Sequence, residues 1–187
     1  LTLDRDVPAF APRSMSIAVL QPGQVNSSGL GETMTTYNDD IFMGWLGIGS
    51  QIDELGHIGV DHTDYNGFED SDFVMGDGLT KLGIEKVPPL VSRGVLLDMA
   101  KHFGEPILSE GTAYTREDII AAAEAQGTEI REGDVVLFHS GWLDLLKDET
   151  RDAERYASVE PGLGKTGAEY LAEIGVMAVG ADTWGLE

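Results

Sequence analysis

Two tandem helix–strand units, each helix closed by a glycine, constrain this fold more than any other feature of the chain. Spacing over 116–126 predicts a helix that buries Ile119, Ile120, Ala122 and Ala123, with Thr115 as N-cap and Asp118 completing a variant capping box. Gly127 ends it, and Val135-Val136-Leu137-Phe138 is an apolar run short enough to be a buried strand. The pattern returns downstream, where residues 165–174 form a helix with Ala168, Leu171 and Ile174 inward, Gly175 ends it, and Val176–Val179 is another short strand. This alternation predicts an α/β sheet within a mixed α+β chain, with His139 and Asp182 gathered at the strand ends. A histidine at the C-terminal end of a buried strand stands where ligands commonly meet such sheets; a capped core histidine is the other reading. Ser140 beside it is poorly aimed for a serine triad, because adjacent strand residues point to opposite faces.

Upstream the signals are more local. Residues 1–15 read as an irregular arm, Ser16–Leu20 as a first strand closed by Pro22-Gly23, and Thr33–Tyr37 as a strand of β-branched and aromatic composition. Residues 60–80 read as a structureless acidic and glycine-rich loop, the kind that serves as a lid or an insertion. Leu90–Phe103 reads as a helix with Val91, Val95, Leu96 and Met99 along one side, Gly104 as its stop and His102 in its last turn. Arg93 near that helix start opposes the helix dipole and implies an acidic neighbour.

Charge and composition exclude several function classes. Twelve Lys and Arg against 33 Asp and Glu give a formal charge of −21, which repels nucleic acid and anionic lipid. No apolar run is long enough to span a membrane, no signal-peptide pattern opens the chain, and a cytoplasmic protein is expected. With no cysteine there is no disulfide, thiolate metal site or cysteine nucleophile. Phosphate loops, dinucleotide fingerprints and Gly-x-Ser-x-Gly elbows are absent from the sequence too. The 187 residues are expected to form one domain, and a chain that begins without a methionine and stops at Glu187 right after a strand-like segment reads as a fragment lacking a C-terminal segment.

Site chemistry concentrates in the run Gly47–Gly59. If 48–53 is extended, Gln51 and Asp53 share a face with Cα atoms about 6–7 Å apart, so one ion or water could touch both. A straight strand would carry His57 roughly 13 Å from Asp53, so the chain must bend to join them, and Gly56 suits a bend. A carboxylate and an amide oxygen suit Mn²⁺, Mg²⁺ or Zn²⁺, and His57 could exchange a proton with an attacking water. His139 could orient substrate or stabilise an oxyanion, and Trp45 just upstream of the run could line a pocket. A polar strand edge followed by a solvated turn is the alternative for the whole stretch.

The run Gly47-Ile48-Gly49-Ser50-Gln51-Ile52-Asp53-Glu54-Leu55-Gly56-His57 resembles the motif His-x-Gly-Thr-His-x-Asp-x-Pro-x-His of the cyclase family of metal-dependent hydrolases. The similarity continues through Tyr65-Asn66-Gly67, residues 92–98, residues 133–137, Pro161-Gly162 and Gly180-Ala181-Asp182-Thr183. The resemblance implies a swivelling β/β/α domain, assembled as a homodimer or larger homo-oligomer, that cleaves amides, lactones or other cyclic carbonyl compounds. It implies Gln51 and Asp53 as ligands of a divalent metal ion, Mn²⁺ or Zn²⁺, and His57 as the catalytic histidine; His139 at its strand end is the second catalytic candidate, and Trp45 and Tyr65 are the candidates for contact with a small-molecule substrate. Gly47 and Gln51 stand where the motif has histidines, which implies a single or weaker metal site. A binding protein without catalysis on the same fold is the alternative.

Overall fold

The computed structural model describes residues 14–19, 29–147 and 152–186, and the chain divides into two compact units, Leu1–Gln51 and Ile52–Glu187. Nearly all of the expected arm 1–15 and the Pro22-Gly23 turn lie outside the described residues.

The first unit holds an antiparallel pair, β1 (Met15–Val19) and β2 (Asp40–Gly44), in register from Met15 opposite Gly44 to Val19 opposite Asp40. The predicted first strand is thus present, one residue early. The predicted strand Thr33–Tyr37 is not: Leu30 and Thr35 exchange backbone hydrogen bonds at 2.9 and 3.2 Å around a tight turn, with Gly31 and Met34 at positive φ. Turn geometry there overrides a composition that favours strands.

In the second unit, the stretch 60–80 expected to be structureless is ordered. Val60 and Thr63 pair across Asp61 and His62, whose φ values of 50° and 63° suit the tight primed turn of a two-residue hairpin. A 3₁₀ turn at Tyr65–Gly67, a single helical turn α1 (Asp70–Phe73) and a short hairpin of β3 (Val74–Met75) and β4 (Gly78–Leu79) follow. Fully buried Phe73 anchors them.

The segment read as a helix over Leu90–Phe103 is a strand, β5 (Gly94–Asp98), running into a short helix, α2 (Met99–Phe103). Val95 and Leu97 are buried while Leu96 between them is exposed, the two-residue period of a strand. Only the last part of the helical reading survives, with Gly104 ending α2 at φ 77°. Beyond it come β6 (Ala113–Tyr114), α3 (Arg116–Gln126), β7 (Val135–His139), α4 (Ala153–Tyr156), β8 (Gly162–Leu163), α5 (Lys165–Ile174) and β9 (Ala178–Ala181). Helix α3 has the expected bounds and both halves of its capping box, and Gly127 and Gly175 cap α3 and α5 in the left-handed conformation. The last strand lies two residues beyond the expected 176–179.

Strands β5, β7 and β9 form a parallel sheet with β7 central, and β6 pairs with β8. One sheet face, Val95, Leu97, Val136 and Phe138, packs with Ile119, Ala122 and Ala123 of α3 and Leu171 of α5 into the core. Each fully buried Leu, Val or Phe contributes about 1.5–3 kcal/mol. Two polar devices fix the strands. At the edge of β5 that no strand pairs among the described residues, the Gln126 amide accepts the Asp98 N–H at 2.7 Å and donates to the Leu96 carbonyl at 2.8 Å, as a further strand would. At the strand starts, Arg93 grips Asp134 with two bonds of 2.9 and 2.6 Å, which holds the buried carboxyl below its ordinary range. Arg93 therefore has the acidic neighbour its position implied, although it precedes a strand and not a helix.

The mixed α/β class expected from the sequence is the one observed. No helix among the described residues is long and apolar enough to cross a membrane.

Candidate functional site

Within the second unit, the backbone N–H of His57 donates to the Glu54 carbonyl at 2.9 Å and closes a turn over Glu54–His57. The turn brings His57 Nε2 to 3.8 Å from the Asp53 carboxylate, with both side chains about half exposed. The chain thus bends where the sequence required it to, for a different reason. Gly56 has no positive φ; a Cβ there would lie 3.0 Å from both the Leu82 carbonyl and the Leu79 side chain, and its N–H donates to that same carbonyl. Close packing, not an unusual dihedral, calls for glycine at this bend.

The Asp53 carboxylate oxygen is a donor that a divalent cation accepts, and the imidazole 3.8 Å away would stand within reach of a water on that cation. That leaves a partial ligand set: among the described residues no group of three or more His, Asp or Glu could hold a metal ion. Gln51 closes the first unit and is exposed, and Trp45, also in the first unit, is half exposed just after β2. Tyr65 opens the exposed 3₁₀ turn of the second unit.

A second group forms at the carboxyl ends of the parallel strands. His139 ends β7 and Asp98 ends β5; they are register partners, with His139 Nδ1 3.2 Å from Asp98 Oδ1. The Lys101 N–H, donating to the same oxygen at 3.0 Å, is the first cause that holds the Asp98 carboxyl below its ordinary range; His139 adds to it against partial burial. Asp182, just past β9, accepts both the N–H and the hydroxyl of fully buried Ser140, at 2.8 and 2.6 Å. Ser140 is thus committed to Asp182 while His139 turns to Asp98, as the opposite faces of successive strand residues require.

The gathering of His139 and Asp182 at the strand ends was legible in the sequence. Asp98 was not, because it sat inside a segment read as helix, and the consecutive apolar residues Val95, Leu96 and Leu97 carry no alternation that would have placed it at a strand end. His102, in the last turn of α2, pairs with Asp118 at 3.4 Å and belongs to the packing of α2 on α3. Trp142 is fully buried and donates to the Tyr156 carbonyl at 3.0 Å; burial pushes the Tyr156 phenol up to about 12.

Several solved structures share this architecture. The crystal structure of a novel cyclase matches with a TM-score of 0.81 at 27% identity, over 100% of this chain and 63% of that one. Isatin hydrolase A from Labrenzia aggregata, bound to benzyl benzoate, matches with a TM-score of 0.61 at 18% identity, over 100% of this chain and 67% of that one. Isatin hydrolase A from Ralstonia solanacearum gives 0.62 at 17%, over 100% and 66%. At such identities the two hydrolases show a shared fold. The chain spans less than two thirds of the length of the novel cyclase, 63%. No curated protein matches the sequence. The cyclase family model matches residues 1–187, and with the shared fold this establishes that the chain belongs to the cyclase family.

Proposed function

We propose that this protein is a metal-dependent hydrolase that cleaves the amide, ester or lactone bond of a small cyclic or aromatic carbonyl compound. The observation that carries the reading is the Asp53–His57 pair, brought to 3.8 Å by a tight turn at the positions where the family motif places a metal ligand and a catalytic histidine. Membership in the cyclase family and the fold shared with isatin hydrolases support it. A divalent ion, Mn²⁺ or Zn²⁺, held through Asp53 supplies Lewis-acid polarisation of the substrate carbonyl when bound.

The chain's own residues move the protons. His57 takes the proton of the attacking water and returns it to the departing nitrogen or oxygen. His139, half exposed at the end of β7, donates to the carbonyl oxygen as negative charge develops there. Tyr65 offers an exposed aromatic face for an aromatic or cyclic substrate. A cytoplasmic homo-oligomer acting on small molecules completes the proposal.

Metal analysis tests the assignment: Asp53→Asn is expected to lose bound metal and turnover together, and normal metal content in that variant would refute the role of Asp53. One observation favours a second reading, a binding protein without catalysis: Gly47 and Gln51 stand where the family motif has histidines. Thermal melting with Mn²⁺ or Zn²⁺ separates the two, since stabilisation by the ion without hydrolysis of any carbonyl substrate supports the binder.

A further inference from the structure

We propose that Asp98 is the positioning residue for His139, fixing the proton on Nδ1 so that Nε2 is the nitrogen presented to the substrate carbonyl, with Asp98 balancing the charge of the protonated ring that donates there; this rests on the role given to His139 above. The parallel ladder sets Asp98 and His139 side by side as register partners, so their side chains leave the sheet on the same face at the same level. Nδ1 lies 3.2 Å from Asp98 Oδ1. That oxygen is not free to wander. It also accepts the Lys101 N–H at 3.0 Å as the N-cap of α2, while the Gln126 amide holds the Asp98 backbone at 2.7 Å.

Among the described residues, the charged group acting on this pair besides Asp98 itself is Lys101 of α2. An ionised carboxylate can only accept, so the ring nitrogen facing it must carry hydrogen. Nε2 is left with its lone pair in the neutral ring and becomes the donor once the ring is protonated. Both side chains are partly open to solvent, 45% for His139 and 38% for Asp98, so Nε2 can reach a bound molecule. The pair sits at the carboxyl end of the sheet face that bears exposed Leu96 and Leu137, an apolar floor suited to a flat carbonyl compound.

The test is ¹⁵N NMR of the imidazoles of the whole chain, with His139→Gln to assign the signal, together with steady-state rates. The wild type is expected to show hydrogen on Nδ1 of His139. Asp98→Ser keeps a cap oxygen for Lys101 but withdraws the carboxylate; it is expected to shift the neutral His139 ring toward the Nε2–H form and, with the counter-charge of the protonated donor gone, to lower kcat by at least about tenfold with little change in KM. Asp98→Asn keeps an acceptor oxygen and should restore Nδ1–H with part of the rate. An unprotonated Nδ1 in the neutral wild-type ring, or an unchanged tautomer in Asp98→Ser, would overturn the proposal. The tautomer is read without substrate, so a wild-type chain with Nδ1–H and no turnover refutes the hydrolase reading while upholding the pair.

Discussion

Asp64 is a carboxyl whose ionisation the fold opposes. It is buried, its Oδ2 finds no hydrogen-bond partner among the described residues, and a Cβ on Gly59 would stand 2.9 Å from that oxygen. Burial raises its pKa, and neighbouring Asp70 raises it further; Asp70 itself is held low by His62 at 3.1 Å. A carboxyl with a raised folded-state pKa contributes stability below the ordinary value of 3.8 and loses it as pH climbs through the folded value. Asp64→Asn keeps the shape and can donate to Asp70 without the charge. Its melting temperature is therefore expected to exceed that of the wild type at neutral pH, with the gap closing as pH falls through the raised folded value and gone below 3.8. A pH series of thermal melts checks this. At this scale the sequence was legible where chemistry is local: the need for a bend if His57 is to meet Asp53 followed from spacing, whereas the partners of Asp64 and Asp98 depend on a hairpin and a strand register that no single segment carries.

Helix α3 shows what local sequence can specify. The Thr115 side chain accepts the Asp118 N–H at 3.3 Å and Asp118 accepts the Thr115 N–H at 2.9 Å, so two end groups of the helix are satisfied by four consecutive residues. Thr115→Ala is expected to cost about 1 kcal/mol in urea unfolding. Helix α5 makes the complementary point. Gly167 would ordinarily gain up to about 1 kcal/mol from replacement by alanine in a helix interior. Here a Cβ would stand 2.5 Å from the Tyr114 carbonyl and 2.9 Å from Ile119 and Leu163, so Gly167→Ala is expected to destabilise, again by urea unfolding. Elements announced by caps were read correctly, down to the ends of α3. The segment containing β5 was misread because Val91, Val95, Leu96 and Met99 fit a helical period while Val95 and Leu97 fit a strand, and only pairing with β7 decides between them. The stretch 60–80 was misread because acidic and glycine-rich composition suits tight turns as well as it suits loops, and buried Phe73 gives those turns something to pack on.

For the molecule as a whole, electrostatics sets the conditions under which it holds together. A charge of −21 on 187 residues opposes compaction, and salt screens that repulsion. The melting temperature at neutral pH is expected to rise with added sodium chloride, and the effect to fade as pH approaches the isoelectric point of 4.3; differential scanning calorimetry across both variables checks it. The α/β class and the strand-end gathering of His139 and Asp182 followed from alternating helices and strands, which is a pattern of the whole chain. The division into two compact units between Gln51 and Ile52 had no compositional signal, because no linker-like stretch marks it.

The central claim, that the Asp53–His57 turn belongs to a working hydrolase, is tested most directly by initial rates on lactones, cyclic imides and N-formyl aromatics for the wild type and His57→Ala, with added Mn²⁺ or Zn²⁺. The account predicts that the wild type hydrolyses at least one of these compounds and that His57→Ala, folded and with an unchanged melting temperature, is slower by roughly 10²-fold or more. Equal rates in the two proteins, or no hydrolysis of any of these compounds by a folded wild type, would contradict it.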